Sequence, residues 1–227
     1  MSNQFNKSNP EPPSGIEKSQ QSLSKDFMIV TADKRASLAA KEILLNGGNA
    51  LDAAIAAQNV LSVVEPQSSG LGGGGFLLFL NNSNKKIYAY DGRETSSSLV
   101  KSNMFLVDDK KMKFIEAVKK PFSVGVPGLY TMLADAHDEF GILEWQDLFT
   151  AALKYSDNFE MGGRLNKLLN WAPHIKNNND VKNIYFNNKE VIKKGSIIKN
   201  LELKKSLLVL SKDPYSINKG FLAKKIS

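Results

Sequence analysis

Glu65-Pro66-Gln67-Ser68-Ser69-Gly70-Leu71-Gly72-Gly73-Gly74-Gly75-Phe76-Leu77-Leu78-Phe79-Leu80 is the stretch on which the fold turns. Its proline closes whatever helix precedes it, because the residue before a proline is pushed out of the helical region. Each of the glycines that follow costs backbone entropy on ordering, so the loop is more than a linker. It reads as backbone packed so tightly against its neighbours that side chains are excluded. An apolar strand follows at residues 76–80, and that order matters. A phosphate-binding loop needs Lys and Ser/Thr after its last glycine and then a helix, whereas Phe76 and a strand stand here. A dinucleotide fingerprint runs from strand to loop to helix and fails for the same reason.

Upstream, Asn49 and Asp52 form a capping-box pair that opens a helix running to about Val64. Leu51, Ala53, Ile55, Ala56, Ala57, Val60 and Leu61 cover nearly every side of it, so it should be buried, with alanines allowing close approach. Gly47-Gly48 stops an earlier helix over 34–45, for which Asp33 is the cap, and residues 27–32 read as a short β-type run before it. Downstream, Asn81 to Asn84 supply turn chemistry, and residues 85–91 return as a second strand, giving a β-hairpin. Arg93 and Glu94 stand at its end, where a loop can hold a ligand group against a rigid scaffold. Val124-Gly125-Val126-Pro127-Gly128 then precedes a helix over 129–140, and further helices are expected at 144–157, 164–169 and 201–210. The order of helix pair, hairpin and helical region predicts an α+β fold with helices layered on a sheet.

Composition removes several classes of function. The chain has 227 residues and no cysteine, which excludes thiolate metal sites and cysteine nucleophiles within it. His137 and His174 are its 2 histidines, far apart and without metal-ligand spacing, so structural or surface roles are expected, with no metal and no cofactor. The net charge of +7 is lopsided: residues 176–227 hold 12 lysines and 4 acids, and the remainder is close to neutral. That tail lacks arginine and reads as a solvated lysine-rich face, not a nucleic-acid surface. No apolar run is long enough for a membrane span, and residues 1–26 read as a disordered polar leader without a secretory signal. The compartment is undetermined, cytoplasmic by default.

Arg93 is one of only three arginines, with Arg35 and Arg164, against twenty-seven lysines. A planar guanidinium fork there fits either an ion pair with Glu94 or another acid, or bidentate recognition of a substrate carboxylate. Composition and spacing leave both readings open.

The segments 28–32, 46–56 and 65–76, with Asp91-Gly92-Arg93-Glu94-Thr95, Ser123-Val124-Gly125-Val126-Pro127-Gly128 and Gly220-Phe221-Leu222-Ala223-Lys224-Lys225-Ile226, resemble the γ-glutamyltranspeptidases (glutathione hydrolases) in the front part of their large chain. The resemblance spans residues 27–227. It implies an Ntn-hydrolase, a four-layer α/β/β/α sandwich that cuts itself into two chains, of which this sequence would hold an incomplete part. It also implies that a newly exposed N-terminal threonine attacks the γ-glutamyl carbonyl of glutathione or a related amide, using its own α-amine as base. Water or an acceptor amino acid or peptide then resolves the acyl-enzyme. In that family the arginine of the Asp-x-Arg-Glu motif binds the α-carboxylate of the glutamyl group, a position matched by Arg93.

Two departures stand out. Ser96-Ser97 replaces the usual small residue and proline after Thr95, and the family's threonine-bearing small chain has no counterpart here. No threonine of this chain lies in a Thr-Thr-His context, so no catalytic nucleophile is assigned within it. The expectation is a part that is inactive alone, either completed by a separately encoded small chain to form a heterodimer, or an inactive truncated product. A fragment of a related cephalosporin or glutaryl acylase is the further alternative. For the compartment, the family adds a periplasmic option.

Overall fold

The structure, a computed structural model, describes residues 21–226. The expected leader therefore lies outside the described residues over 1–20, while residues 21–26 carry no helix or strand. Helix α1 spans Lys34–Leu45, with the Asp33 side chain accepting from Arg35 N. Helix α2 spans Ala50–Val64, and its capping box is complete: Asn49 Oδ1 accepts from the Leu51 and Asp52 amides, and Asp52 accepts from Asn49 N. A one-turn helix α3 (Pro66–Ser69) continues past the proline. It leads through the glycine loop into β1 (Gly75–Asn81) and β2 (Lys86–Gly92), an antiparallel hairpin pairing Gly75 with Gly92 and Asn81 with Lys86.

Beyond it lie a small hairpin, β3 (Leu106–Val107) with β4 (Lys110–Lys111), then α4 (Phe114–Ala117), α5 (Leu129–Phe140) and α6 (Thr150–Asp157). Next come β5 (Phe159–Glu160), α7 (Gly163–Trp171), α8 (Asn179–Tyr185) and β6 (Phe186–Asn187) with β7 (Glu190–Val191). Strand β8 (Ile197–Ile198) pairs back to β5, and α9 (Leu201–Leu210), α10 (Ser216–Lys219) and α11 (Phe221–Ile226) complete the order.

Helix α2 is the hub. Leu51, Ile55, Ala56, Val60, Val63 and Val64 are buried against α1, α5 and α6. Two polar contacts fix its depth: Asn59 Nδ2 donates to Leu148 O at 3.0 Å, and Asn59 Oδ1 accepts from Tyr130 Oη at 2.8 Å. Asp52 is wholly buried and accepts from the Ile142 and Leu143 amides as well as from Asn49. An unpaired buried carboxylate would be costly, and these amides satisfy it. The ring of His137 donates from Nε2 to Leu143 O, 2.9 Å away, and lies 3.5 Å from Asp52, the structural role expected for it. The expectation for the His174 side chain falls outside what is described.

The fold is α+β, as expected, with one correction. Residues 27–32 form no strand: Phe27, Ile29 and Thr31 are half-buried, Met28 and Val30 are exposed, but no ladder partner stands beside them among the described residues. The alternation of a strand is present and its hydrogen bonds are not. The sheets among the described residues are two-stranded pieces, in keeping with an incomplete sandwich. The main hairpin rests its Tyr88 and Phe79 rings on Phe140, at centroid distances of 4.5 Å and 4.9 Å. Its other face, Phe76, Leu78, Leu80 and Ile87, is open to solvent.

Candidate active-site cleft

Three segments separated in sequence meet at the end of the hairpin. A Cβ on Gly74 would fall 2.6 Å from Gly92 O, 2.6 Å from Glu94 Oε2 and 2.8 Å from Glu94 N. One on Gly125 would strike Glu94 Cβ at 2.6 Å, and one on Gly128 would strike Gly92 O at 2.4 Å. These glycines let three backbone segments close around Glu94. Hydrogen bonds seal the arrangement: the Gly128 and Leu129 amides both donate to Gly73 O, and Thr95 and Val126 exchange backbone bonds. The expectation that packing excludes side chains from the glycine loop holds at Gly74 and at Gly70, whose Cβ would lie 2.9 Å from Pro66 O. It does not hold at Gly72, where a Cβ meets nothing.

Arg93 projects from this junction. Its amide is fixed by Asp91 Oδ1 at 2.9 Å, an Asx turn that ends β2. Its side chain is 67% exposed, with Nη1 3.4 Å from Glu94 Oε2. The other two arginines are committed within the fold: Arg35 pairs with Asp33 and donates to Glu160 O, and Arg164 pairs with the buried Glu65. Arg93 therefore keeps donors facing outward that its two counterparts have spent. A cleft of about 680 Å³ runs between the glycine loop and Arg93, floored by Gln58 of α2 and by Leu129 and Met132 of α5. Its size suits a small ligand.

The glycine surplus signals close packing, but nothing in one sequence says that Gly74 and Gly125 both close on Glu94, or that Gly128 closes on Gly92. Among the described residues no group of three or more acidic or histidine side chains converges as a metal site. No helix among them is long and apolar enough to cross a membrane. Of the tail lysines, Lys204 binds Asp157 at 2.6 Å, while the remaining lysines are exposed, the solvated face expected.

The fold is that of the N-terminal-nucleophile hydrolases, to which its structural neighbours belong. The γ-glutamyltranspeptidase of Pseudomonas nitroreducens, solved in complex with L-DON, superposes with a TM-score of 0.80 at 28% identity, over 89% of this chain and 60% of that one. The Helicobacter pylori γ-glutamyltranspeptidase, at 24% identity, shares the fold with a TM-score of 0.84 over 91% of this chain and 60% of its own. The sequence matches the γ-glutamyltranspeptidase family over residues 36–227, and the chain belongs to that family. The glutathione hydrolase proenzyme of Bacillus subtilis is 33% identical over 219 residues, which are 95% of this chain and 37% of the relative. The chain thus spans little more than a third of that curated relative.

Proposed function

We propose that this chain is the donor-recognising part of a glutathione hydrolase that transfers γ-glutamyl groups. Arg93 grips the α-carboxylate of a γ-glutamyl donor such as glutathione, and the γ-carbonyl is attacked by a threonine carried on polypeptide outside this sequence. The observation that carries this reading is the outward guanidinium of Arg93, held by its Asx turn at the mouth of the glycine-walled cleft. Two parallel N–H groups meet two carboxylate oxygens there, a geometry that a point-charged ammonium cannot copy. Glu94, at 3.4 Å, orients the fork. The threonine alkoxide adds to the γ-carbonyl, the amide nitrogen leaves with the proton taken by the threonine's own amine, and water or an amine then releases the glutamyl group.

Two of the chain's own threonines are already engaged within the fold: Thr31 is bonded to Asp33 O and Ser37, and Thr131 to Asn218. The open hairpin face is a surface that the remaining polypeptide would cover, whether it continues this chain or is a separately encoded small chain forming a heterodimer.

The test has two arms. The full chain is titrated with γ-glutamylmethylamide, and Arg93→Gln is expected to weaken binding by about tenfold or more, with Arg93→Lys recovering only part of it. In parallel, the chain is co-expressed with the complementary portion of the Bacillus subtilis relative, and release of p-nitroaniline from its γ-glutamyl anilide is followed. An Arg93→Lys variant with an unchanged KM for that donor tells against carboxylate recognition.

A further inference from the structure

Glu65 is a buried carboxylate that the donor reading leaves unused. It stands where α2 ends and α3 begins, and its carbonyl accepts from the Ser68 and Ser69 amides to hold that single turn. Its side chain has two partners, both on Oε2: Arg164 Nη1, and Gln67 Nε2 at 2.6 Å. A carboxylate only accepts, so the Gln67 amide must turn its nitrogen to Glu65 and its oxygen away. An ionised carboxylate is costly to bury unless it is paired, and Arg164 is the cation that pairs with this one. Without that guanidinium Glu65 would take up a proton or turn toward water, and Gln67 would lose its charged acceptor.

Arg164 is itself firmly placed. It is the second residue of α7, whose Leu165 and Leu169 are buried in the core and whose Asn166 donates to Ile192 O at 2.8 Å. The link from Arg164 through Glu65 to Gln67 therefore runs from a fixed helix to the wall of the donor cleft, which Pro66, Gln67 and Gly70 line and Arg164 does not. Beyond Gln67 the wall continues through close contacts. A Cβ on Gly70 would lie 2.9 Å from Pro66 O, Gly73 N donates to Gly70 O at 3.2 Å, and Gly73 O takes the Gly128 and Leu129 amides. Gly74 follows against Glu94, the ion-pair partner of Arg93.

We propose that Arg164 is a positioning residue for the γ-glutamyl donor: acting through Glu65, it fixes the Gln67 side chain and with it the α3 and glycine-loop wall of the cleft. The inference deepens the donor reading and rests on it for the identity of the ligand. Coupling of this kind needs a contiguous chain of contacts, and this one is made of a buried ion pair, one side-chain hydrogen bond and a single helical turn.

The test separates positioning from bare stability. Arg164→Met leaves Glu65 buried and unpaired, so the melting temperature and the affinity of the full chain for γ-glutamylmethylamide should both fall, the affinity by about fivefold or more. Adding Glu65→Leu replaces the ion pair by apolar side chains and should return the melting temperature close to that of the wild type. Gln67 still lacks its acceptor in that double variant, so donor affinity should stay about fivefold down or more. In a Gln67→Met background the Glu65→Leu, Arg164→Met pair should cost no further affinity, since both act through one side chain. In the ligand-free ¹⁵N-labelled chain the double variant should move the Gly73, Gly128 and Leu129 amide signals. Affinity that recovers together with the melting temperature overturns the proposal, as does an additive loss in the Gln67→Met background or stationary signals at those three amides. A wild-type chain that does not bind γ-glutamylmethylamide overturns the donor reading instead, and the three amide signals then decide whether Arg164 governs the cleft wall.

Discussion

Gly72 and Gly74 sit two residues apart in one loop, and alanine at each should act in opposite directions. At Gly74 the added methyl would meet Gly92 O and Glu94 Oε2 at 2.6 Å and Glu94 N at 2.8 Å. Two of those atoms are backbone, so no rotamer change relieves the contact, and the loop or the end of β2 must move. Overpacking of this kind costs about 1–3 kcal/mol. For a domain of this length that lowers the melting temperature by about 2–12 °C. At Gly72 a methyl meets nothing and no positive φ is required, so Gly72→Ala mainly restricts the unfolded chain. It should stabilise by about 0.4–1 kcal/mol, or roughly 1–4 °C. Thermal unfolding followed by circular dichroism reads both values. A second readout is γ-glutamylmethylamide binding, which Gly74→Ala should weaken because Glu94 is displaced from Arg93, 3.4 Å away, whereas Gly72→Ala should not. If the two variants melt together, the claim that close backbone approach shapes this cleft would be refuted.

Three tyrosines make alkaline stability informative. Burial and the Glu139 carboxylate push Tyr90 up to about 12, the Asp135 carboxylate and burial push Tyr215 up to about 12, and burial drives Tyr130 upward as well. Each folded value lies above the ordinary phenol value of about 10, so their contribution is complete below that pH and is lost as pH rises toward about 12. Ultraviolet titration of tyrosinate should show a late group that shrinks by two tyrosines in the Tyr90→Phe, Tyr215→Phe double variant; an unchanged curve contradicts the two carboxylate contacts. On the open hairpin face, Leu78→Lys should raise the concentration at which the isolated chain aggregates while changing stability by no more than about 0.5 kcal/mol. Sedimentation velocity checks this, and a wild-type chain that is already a soluble, cooperatively unfolding monomer counts against an adhesive face.

Helix boundaries were legible because their caps are local. Asp33, Asn49 and Asp52 bond to amides within three residues, so α1 and α2 begin where the sequence says they should. The hairpin was legible for the same reason, its turn chemistry lying between its strands. Residues 27–32 were misread because a strand is made by a neighbour, and their alternation of Ile29 with Met28 and Val30 carries no information about whether one is present. Alternation also failed to say which hairpin face turns inward: Tyr88 and Tyr90 pack on α5, and the more apolar face is left out. At the cleft, Arg93 stood out by its rarity. The closing of Gly74 and Gly125 on Glu94, and of Gly128 on Gly92, did not, because it depends on three segments meeting from distant parts of the chain. The partner of Arg164, Glu65, was equally invisible, being ninety-nine positions away.

The buried carboxylate of Asp52 has a consequence for how the molecule assembles. It first closes its own helix by taking the Asn49 amide, a contact spanning three residues that can form while the rest of the chain is unstructured. The same group also accepts from the Ile142 and Leu143 amides, and Asn49 Nδ2 donates to Phe140 O at 2.6 Å. The front of α2 is thus a ready-made socket into which the tail of α5 plugs. Late arrival of α5 costs no rearrangement there, and the junction sets how far that helix can slide.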